Sequence, residues 1–238
     1  PGDPTALPEP TPPARELVNS TAFGFNSTLM DYDDRMVIEG QTLAYTSGFN
    51  RERFTLQTDG TYRADRTPLL AGLVGRANQD GTTTLRDKSG TVRAFGSDGW
   101  VRSITDRNGN TVTIVRSGSQ IQQIIEPGGR ALTFQYSGGG ISQITDPLGR
   151  TVSYAYESEP TKWGNSRLKT VTNQAGGVTT YSYAVGFNIS TITDARGITS
   201  LTNSYCNVAP CPLDPGVITQ TMADGGIYRL DYVVVNQS

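Results

Sequence analysis

The sequence predicts an all-β protein in which tandem two-strand repeats stack into an open, solenoid-like or spiralling antiparallel β-sheet. Two observations lead to this prediction. In 238 residues the chain has 27 Gly, 13 Pro and 11 Tyr, a composition typical of many short strands joined by tight turns. From about residue 88, one sequence motif also recurs along the chain. It consists of an apolar residue, two polar residues, Ile-Thr-Asp or a close variant, a glycine turn and an alternating apolar stretch.

The first predicted element is a proline-rich arm at residues 1–16. Its prolines favour an extended backbone and cannot donate hydrogen bonds to a sheet. They are Pro1, Pro4, Pro8, Pro10, Pro12 and Pro13. The arm is interpreted either as a linker or as a segment that joins one copy of the chain to another. Residues 17–87 are predicted to form an N-terminal β region ahead of the repeats.

Residues 88–238 are predicted to form an array of about seven repeats. The copies are Val101–Ile114, Ile121–Tyr136, Ile141–Tyr156, Leu168–Tyr183 and Ile189–Thr202, with weaker ones at Lys88–Phe95 and Thr221–Val233. The predicted turn glycines are Gly90, Gly109, Gly129, Gly149, Gly177, Gly197 and Gly226. Two wider spacings are explained by insertions at 157–165 and 206–211, which loops absorb at low entropic cost.

Each repeat encodes its own turn and strand. Asp-Pro-Leu-Gly, Glu-Pro-Gly-Gly and Arg-Asn-Gly-Asn combine the residues that hairpin turns require. After the turn, Val152, Tyr154 and Tyr156 fall on one face of a strand. Before it, Ile141 and Ile144 are three residues apart, which either a β-bulge or a bend would reconcile with a strand. One unit cannot bury its apolar face alone, so consecutive units are expected to stack.

These repeat sequences, above all ITDPLGRTVSYAY and ITDARGITS, closely resemble the YD repeats of the RHS family of bacterial surface and toxin proteins. The stretches 59–67 and 80–110 are similar to the region before such arrays, and the resemblance covers roughly 31–235. It implies a long β-sheet wound in a spiral. Large family members close this spiral into a shell around a toxic C-terminal domain, and the related insecticidal toxin complexes and teneurins enclose cargo or support cell-surface contacts. Seven copies are too few to close a shell.

The two cysteines, Cys206 and Cys211, are separated by a short turn. A local disulfide is the favoured interpretation, and it indicates an extracellular or bacterial cell-surface location. Two reduced cysteines in a cytosolic protein are the alternative. A closed zinc shell is not expected, because the chain has no histidine and no further cysteine.

The final predicted strand, 227–235, is strongly apolar and has no cap. Exposed edges of this kind accept a further strand. Head-to-tail self-association is therefore a hypothesis, and continuation into a larger RHS shell is its alternative. The candidate assembly residues are the six arm prolines with Tyr228, Leu230, Tyr232 and Val234.

The sequence favours a protein that is not an enzyme and needs no cofactor, because imidazole-based catalysis is excluded in a chain without histidine. Asp31, Asp33 and Asp34 cluster, yet a glycosidase needs two carboxyls facing each other across a cleft. The turn carboxylates Asp106, Asp146 and Asp194 recur with the repeat, as turn-forming residues would.

A weak calcium candidate consists of Asp106, Asn108 and Asn110, with a plain Asn-Gly turn as the alternative. The formal charge of −2 and the scattered basic residues give no footprint for nucleic acid, and no apolar stretch is long enough for a membrane span. Trp100, Trp163 and exposed tyrosines would suit a glycan or protein ligand. Core packing is the favoured interpretation for any single ring, and Trp163 is the best candidate for exposure. Three functions stay open: a self-assembling extracellular scaffold, a segment of a toxin shell, and an adhesin.

Overall fold

The computed structural model describes residues 32–47, 50–64, 72–138, 140–158, 166–184, 187–206 and 216–230. In these ranges all regular structure is β, with no helix, and 19 antiparallel strands form one open sheet. The all-β prediction is therefore confirmed. The proline-rich arm at 1–16 and the tip of the 157–165 insertion lie outside the described residues.

The strands follow the chain from one edge of the sheet to the other. They are β1 (Arg35–Glu39), β2 (Thr42–Ser47), β3 (Asn50–Leu56), β4 (Tyr62–Ala64), β5 (Val74–Ala77), β6 (Thr83–Arg86), β7 (Val92–Phe95), β8 (Val101–Thr105), β9 (Thr111–Ser117), β10 (Gln120–Ile125), β11 (Ala131–Ser137), β12 (Gly140–Thr145), β13 (Thr151–Ser158), β14 (Ser166–Thr172), β15 (Val178–Tyr183), β16 (Ile189–Thr193), β17 (Thr199–Tyr205), β18 (Val217–Met222) and β19 (Ile227–Arg229). Each strand pairs with its sequence neighbours, as in β8–β9 and β9–β10. The topology is a meander.

The first strands of the sheet curl back on themselves. Besides pairing with β2, β1 meets the start of β8 through a bridge between Arg35 and Trp100. Met36 N donates to Gly99 O at 2.8 Å, and Val101 N donates to Asp34 O at 3.1 Å. Gly99 permits this approach, because a Cβ there would lie 2.9 Å from the Met36 carbonyl oxygen. The N-terminal half of β1 therefore has partners on both sides.

One hydrophobic core lies on one face of β1–β12, which we call the inner face. Its buried members are Met36, Leu43, Tyr45, Phe54, Tyr62, Leu85, Phe95, Val101, Ile114, Ile121, Ile124, Phe134 and Ile141. Tyr154 on β13 is only half-buried against this cluster. Among the described residues, no hydrophobic side chain after Ile141 is buried.

Ten five-residue turns share one hydrogen-bond pattern. In each, the first residue's N–H donates to the fifth residue's carbonyl, and the fourth residue's N–H donates to the first residue's carbonyl. The fourth residue is always a glycine with positive φ, as in three-residue hairpin loops that end in a bulge. The turns are 57–61, 78–82, 87–91, 96–100, 106–110, 126–130, 146–150, 173–177, 194–198 and 222–226.

Two of the predicted turn glycines, Gly177 and Gly226, lie in their turns but are not the residues with positive φ. Gly176 and Gly225 have positive φ, whereas Gly177 and Gly226 are the fifth residues of their turns. The fifth residue begins the pairing with the preceding strand, so it needs a strand-like backbone. Gly90, Gly109, Gly129, Gly149 and Gly197 occupy the fourth position. The same turn also occurs before residue 88, at Gly60 and Gly81.

Of the two explanations offered for the apolar spacing, the β-bulge is the one found, in the strands before the six turns from 106–110 onward. In β12, Ile141 faces Tyr136 and Gln143 faces Gln135, so Ser142 is the extra residue. Ile141 and Ile144 therefore both reach the inner face. The extra residues of the six corresponding bulges are Arg102, Gln122, Ser142, Lys169, Ser190 and Ile218.

We predict that Gly129→Ala destabilises the chain by about 1 to 2 kcal/mol, because alanine is strained at a φ of 85°. The neighbouring Gly128→Ala is the matched control: its Cβ would approach only the flexible Glu126 carboxylate, at 3.3 Å. Urea unfolding measures both free energies. Equal losses in the two variants would contradict the assigned turn geometry.

Candidate functional surfaces

A tyrosine at the end of each later repeat ties two strands together. Tyr156 Oη donates to Ile141 O at 2.7 Å, Tyr183 Oη to Leu168 O at 2.5 Å, and Tyr205 Oη to Ile189 O at 2.6 Å. Each acceptor is the apolar residue just before the bulge. Burial raises the pKa of Tyr183 to about 12, so this hydroxyl keeps its proton at neutral pH. We call these contacts the tyrosine latches.

Gly140 leaves room for the latch of Tyr156. A Cβ on Gly140 would lie 2.8 Å from Cζ of Tyr156, so a side chain at this position would displace the ring. The sequence showed the tyrosines as strand residues, but no residue type marks their acceptors, which are backbone carbonyls. The recurring separation of 15 or 16 residues between each tyrosine and an apolar residue is the one pattern that could have pointed to them.

Arg116 takes the tyrosine position in the repeat that starts at Val101. Its Nε donates to Val101 O at 3.4 Å, with the same separation of 15 residues. The guanidinium also donates to Ser119 O at 2.6 Å and to the carbonyl of Tyr32, and it pairs with Asp33 at 3.3 Å. Its Cζ lies 4.8 Å from the Trp100 ring centroid. Arg116 therefore ties the segment before β1 to the array.

The two described carboxylates of the acidic cluster, Asp33 and Asp34, pair with different arginines. Asp34 is fully buried, accepts the Tyr45 hydroxyl at 2.5 Å and lies 3.5 Å from Arg93 Nε. Burial and the charge of Asp34 raise the pKa of Tyr45. Asp33 pairs with Arg116, and Asp31 lies outside the described residues. Each carboxylate has its own cation, an arrangement that fixes the start of the sheet.

The repeat-turn carboxylates Asp106, Asp146 and Asp194 form the turns. In each, Oδ1 accepts the N–H groups of the third and fifth turn residues, at 2.8 to 2.9 Å. Asn173 makes the same two bonds in its turn. A hydrogen bond from the side chain of Asn110 lowers the pKa of Asp106, and Arg150 and Arg196 lower those of Asp146 and Asp194.

The calcium candidate has the geometry of the plain Asn-Gly turn. Asn110 Nδ2 donates to Asp106 Oδ2 at 2.8 Å, while Oδ1 accepts the backbone N–H groups of Asn108 and Asn110. Both carboxylate oxygens of Asp106 are thus engaged within the turn. Across the part of the chain that the structure describes, no group of three or more Asp, Glu, His or Cys is arranged to hold a metal.

An open cleft of about 470 Å³ lies where the inner face meets the turns after β10 and β12. Tyr32, Leu132 and Leu148 contribute to its apolar wall. Its rim carries the ion pairs Arg130–Glu126 and Arg150–Asp146. These charges satisfy each other, so the cleft has no net charge to select a ligand.

Of the predicted disulfide, the structure describes one cysteine. Cys206 follows β17 and is disulfide-bonded, whereas Cys211 lies outside the described residues. The guanidinium groups of Arg35 and Arg116 both lie over the Trp100 ring, with Cζ at 5.2 and 4.8 Å from its centroid. Trp100 is therefore a packing residue, and Trp163 lies outside the described residues.

The C-terminal edge strand β19 is exposed. Ile227, Tyr228 and Leu230 have exposed fractions of 59%, 63% and 43%. Met222 N donates to Gly226 O and Leu230 N donates to Ile218 O. Backbone groups alternate along a strand, so those of Ile227 and Arg229 point away from β18. Tyr232, Val234 and the arm prolines lie outside the described residues.

No protein-family profile and no curated protein matches the sequence. The resemblance to RHS repeats therefore depends on the motifs alone and stays a prediction. Within the described ranges, no helix is long and apolar enough to cross a membrane.

We predict that Tyr156→Phe lowers the free energy of unfolding by about 1 kcal/mol, because the Ile141 carbonyl loses its donor. Tyr181→Phe is the matched control, since the Tyr181 hydroxyl has no hydrogen-bond partner among the described residues. Chemical denaturation compares the two. A loss as large in Tyr181→Phe would mean that the latch adds nothing beyond ring packing.

We predict that Asp146→Asn flattens the acid dependence of stability. The pKa of Asp146 is lowered from 3.8 in the folded chain, so its stabilisation is present above the unfolded pKa and is lost as pH falls through the folded pKa. Asparagine keeps the turn bonds, as Asn173 does. Urea titrations from pH 7 to acid should show that the wild type loses its higher free energy of unfolding relative to Asp146→Asn. An advantage that is constant with pH would refute the electrostatic role.

Proposed function

We propose that the chain is a non-enzymatic structural repeat protein, a scaffold subunit that self-assembles by adding strands at its C-terminal edge. One observation carries the proposal: the two edges of the sheet differ. The N-terminal half of β1 is hydrogen-bonded on both sides, whereas β19 presents outward backbone groups and exposed apolar side chains. A free edge of this kind accepts a further strand.

The asymmetry restricts the mode of assembly. A head-to-tail contact between β19 and the first half of β1 would have to break two hydrogen bonds, from Met36 N to Gly99 O and from Val101 N to Asp34 O. The proline-rich arm, rather than β1 itself, is therefore the part of a neighbouring copy proposed to complete the edge. Such a heterologous contact builds filaments when it does not close into a ring.

A second candidate function is a segment of a larger RHS-type wall that encloses a toxin. The hydrogen-bonded first half of β1 favours it. Further strands would then add to the sheet after β19, as they would in a wall extended by further repeats. An extracellular or cell-surface location, proposed for both candidates, is supported by the disulfide of Cys206. An adhesin that binds glycans or surface proteins stays a weaker proposal.

We predict that Arg229→Pro suppresses self-assembly without unfolding the sheet. Proline removes an outward N–H and clashes with an added strand, whereas the bonds from β19 to β18 stay intact. Arg229→Ala, which removes the same side chain but keeps the N–H, is the control. Light scattering across a concentration series and negative-stain micrographs measure assembly.

The scaffold proposal expects assemblies for the wild type and for Arg229→Ala, and their loss in Arg229→Pro. A wild type that stays monomeric over the whole series would overturn it. Assembly that is undiminished in Arg229→Pro would show that the edge is not the contact.

A further inference from the structure

We propose that the inner face of β13–β18 is a docking surface for a second copy of this chain, which contributes the same face and completes a two-layer sandwich. This inference shares only self-association with the proposed function. It concerns the face of the sheet, not its edge, so either can fail alone.

Equivalent repeat positions differ in burial along the sheet. The residue before the bulge is 1% exposed at Ile121 and 0% at Ile141, whereas Leu168 and Ile189 are only half-buried. Four residues beyond the turn, Ile114 and Phe134 are buried, but Tyr154 and Tyr181 are half-buried. The repeat chemistry is the same in both halves. The difference among the described residues is that the core cluster formed with the curled first strands ends at the half-buried Tyr154 of β13.

The uncovered face continues directly from the core. Tyr154, at the margin of the core cluster, pairs with Val171 on β14. From β15 onward a row runs across four strands through the pairs Tyr181–Ile192, Ile192–Leu201 and Leu201–Met222. Tandem repeats thus extend one apolar surface beyond the layer that covers it.

The chemistry of this face suits an apolar partner. Strands β15–β18 contain no charged residue. The hydroxyls of Tyr156, Tyr183 and Tyr205 already donate to backbone carbonyls in their latches, so covering these three rings leaves their donors paired. On the opposite face of the sheet, cross-strand pairs consist of threonines, as in Thr170–Thr180 and Thr191–Thr202.

The size of the face fits a pair of copies. Six strands spaced by about 4.8 Å, each about 20 Å long, present a projected area of about 600 Å². A standard interface buries about 800 Å² of accessible surface on each partner, and side chains add to the projected area. Two such faces can pack at about 10 Å with nearly aligned strands. The formal charge of −2 gives two copies little mutual repulsion.

The test compares two lysine substitutions on adjacent residues of β16. Ile192 points to the inner face and Thr191 to the outer face, and both are half-buried. All proteins in this comparison carry Arg229→Pro, which blocks edge assembly. Sedimentation equilibrium on the full chain should then give a dimer both without a lysine substitution and with Thr191→Lys. Ile192→Lys should weaken dimerisation at least about tenfold, because a lysine ammonium would be buried between the copies. Thermal unfolding by circular dichroism identifies any variant that fails to fold.

Leu201→Lys, one strand away on the same row, provides a second inner-face variant if Ile192→Lys does not fold. Arg229→Pro should leave the face dimer intact, which separates this contact from edge assembly. A monomeric wild type would overturn both the inference and the scaffold proposal. Equal association of Ile192→Lys and Thr191→Lys would overturn the inference alone.

Discussion

Covering one apolar face of a single β-layer is the constraint on which this structure depends. A sheet that is apolar on one side is stable only if another layer removes that side from water. The chain meets this need in its first half by curling β1 back toward β8, a contact fixed by the Arg35–Trp100 bridge and the bonds at Gly99. Beyond β13 the same strand pattern continues, and no described residue forms a covering layer there. Under the proposed assembly, the stability of this half would depend on contact with a second copy.

The repeat sets strand register through three local devices. The five-residue turn fixes where each hairpin starts, the bulge brings two apolar residues three apart onto one face, and the latch fixes the far end. Arg116 replaces a latch tyrosine and bonds to Val101 as the tyrosine would. Its remaining donors bind the segment at Tyr32 and Asp33. One substitution in a repeated position thus joins the array to the segment that precedes it.

Local chemistry was predictable from the sequence, and long-range placement was not. Composition and turn residues predicted the all-β sheet, and the spacing of Ile141 and Ile144 predicted a bulge or a bend, of which the bulge is found. Adjacent glycines at 176–177 and 225–226 made the turn position ambiguous by one residue. Asp34 and Arg93 meet only because the sheet curls, and no local pattern contains that curl. The Tyr156 latch was missed because its acceptor is a backbone carbonyl, which has no sequence signature.

Amide hydrogen exchange at several protein concentrations tests the central claim most directly. The account predicts that, in dilute solution, β14–β18 exchange faster than β8–β12, and that their protection rises with concentration as a second layer covers them. Protection that is equal in the two halves and independent of concentration would contradict it.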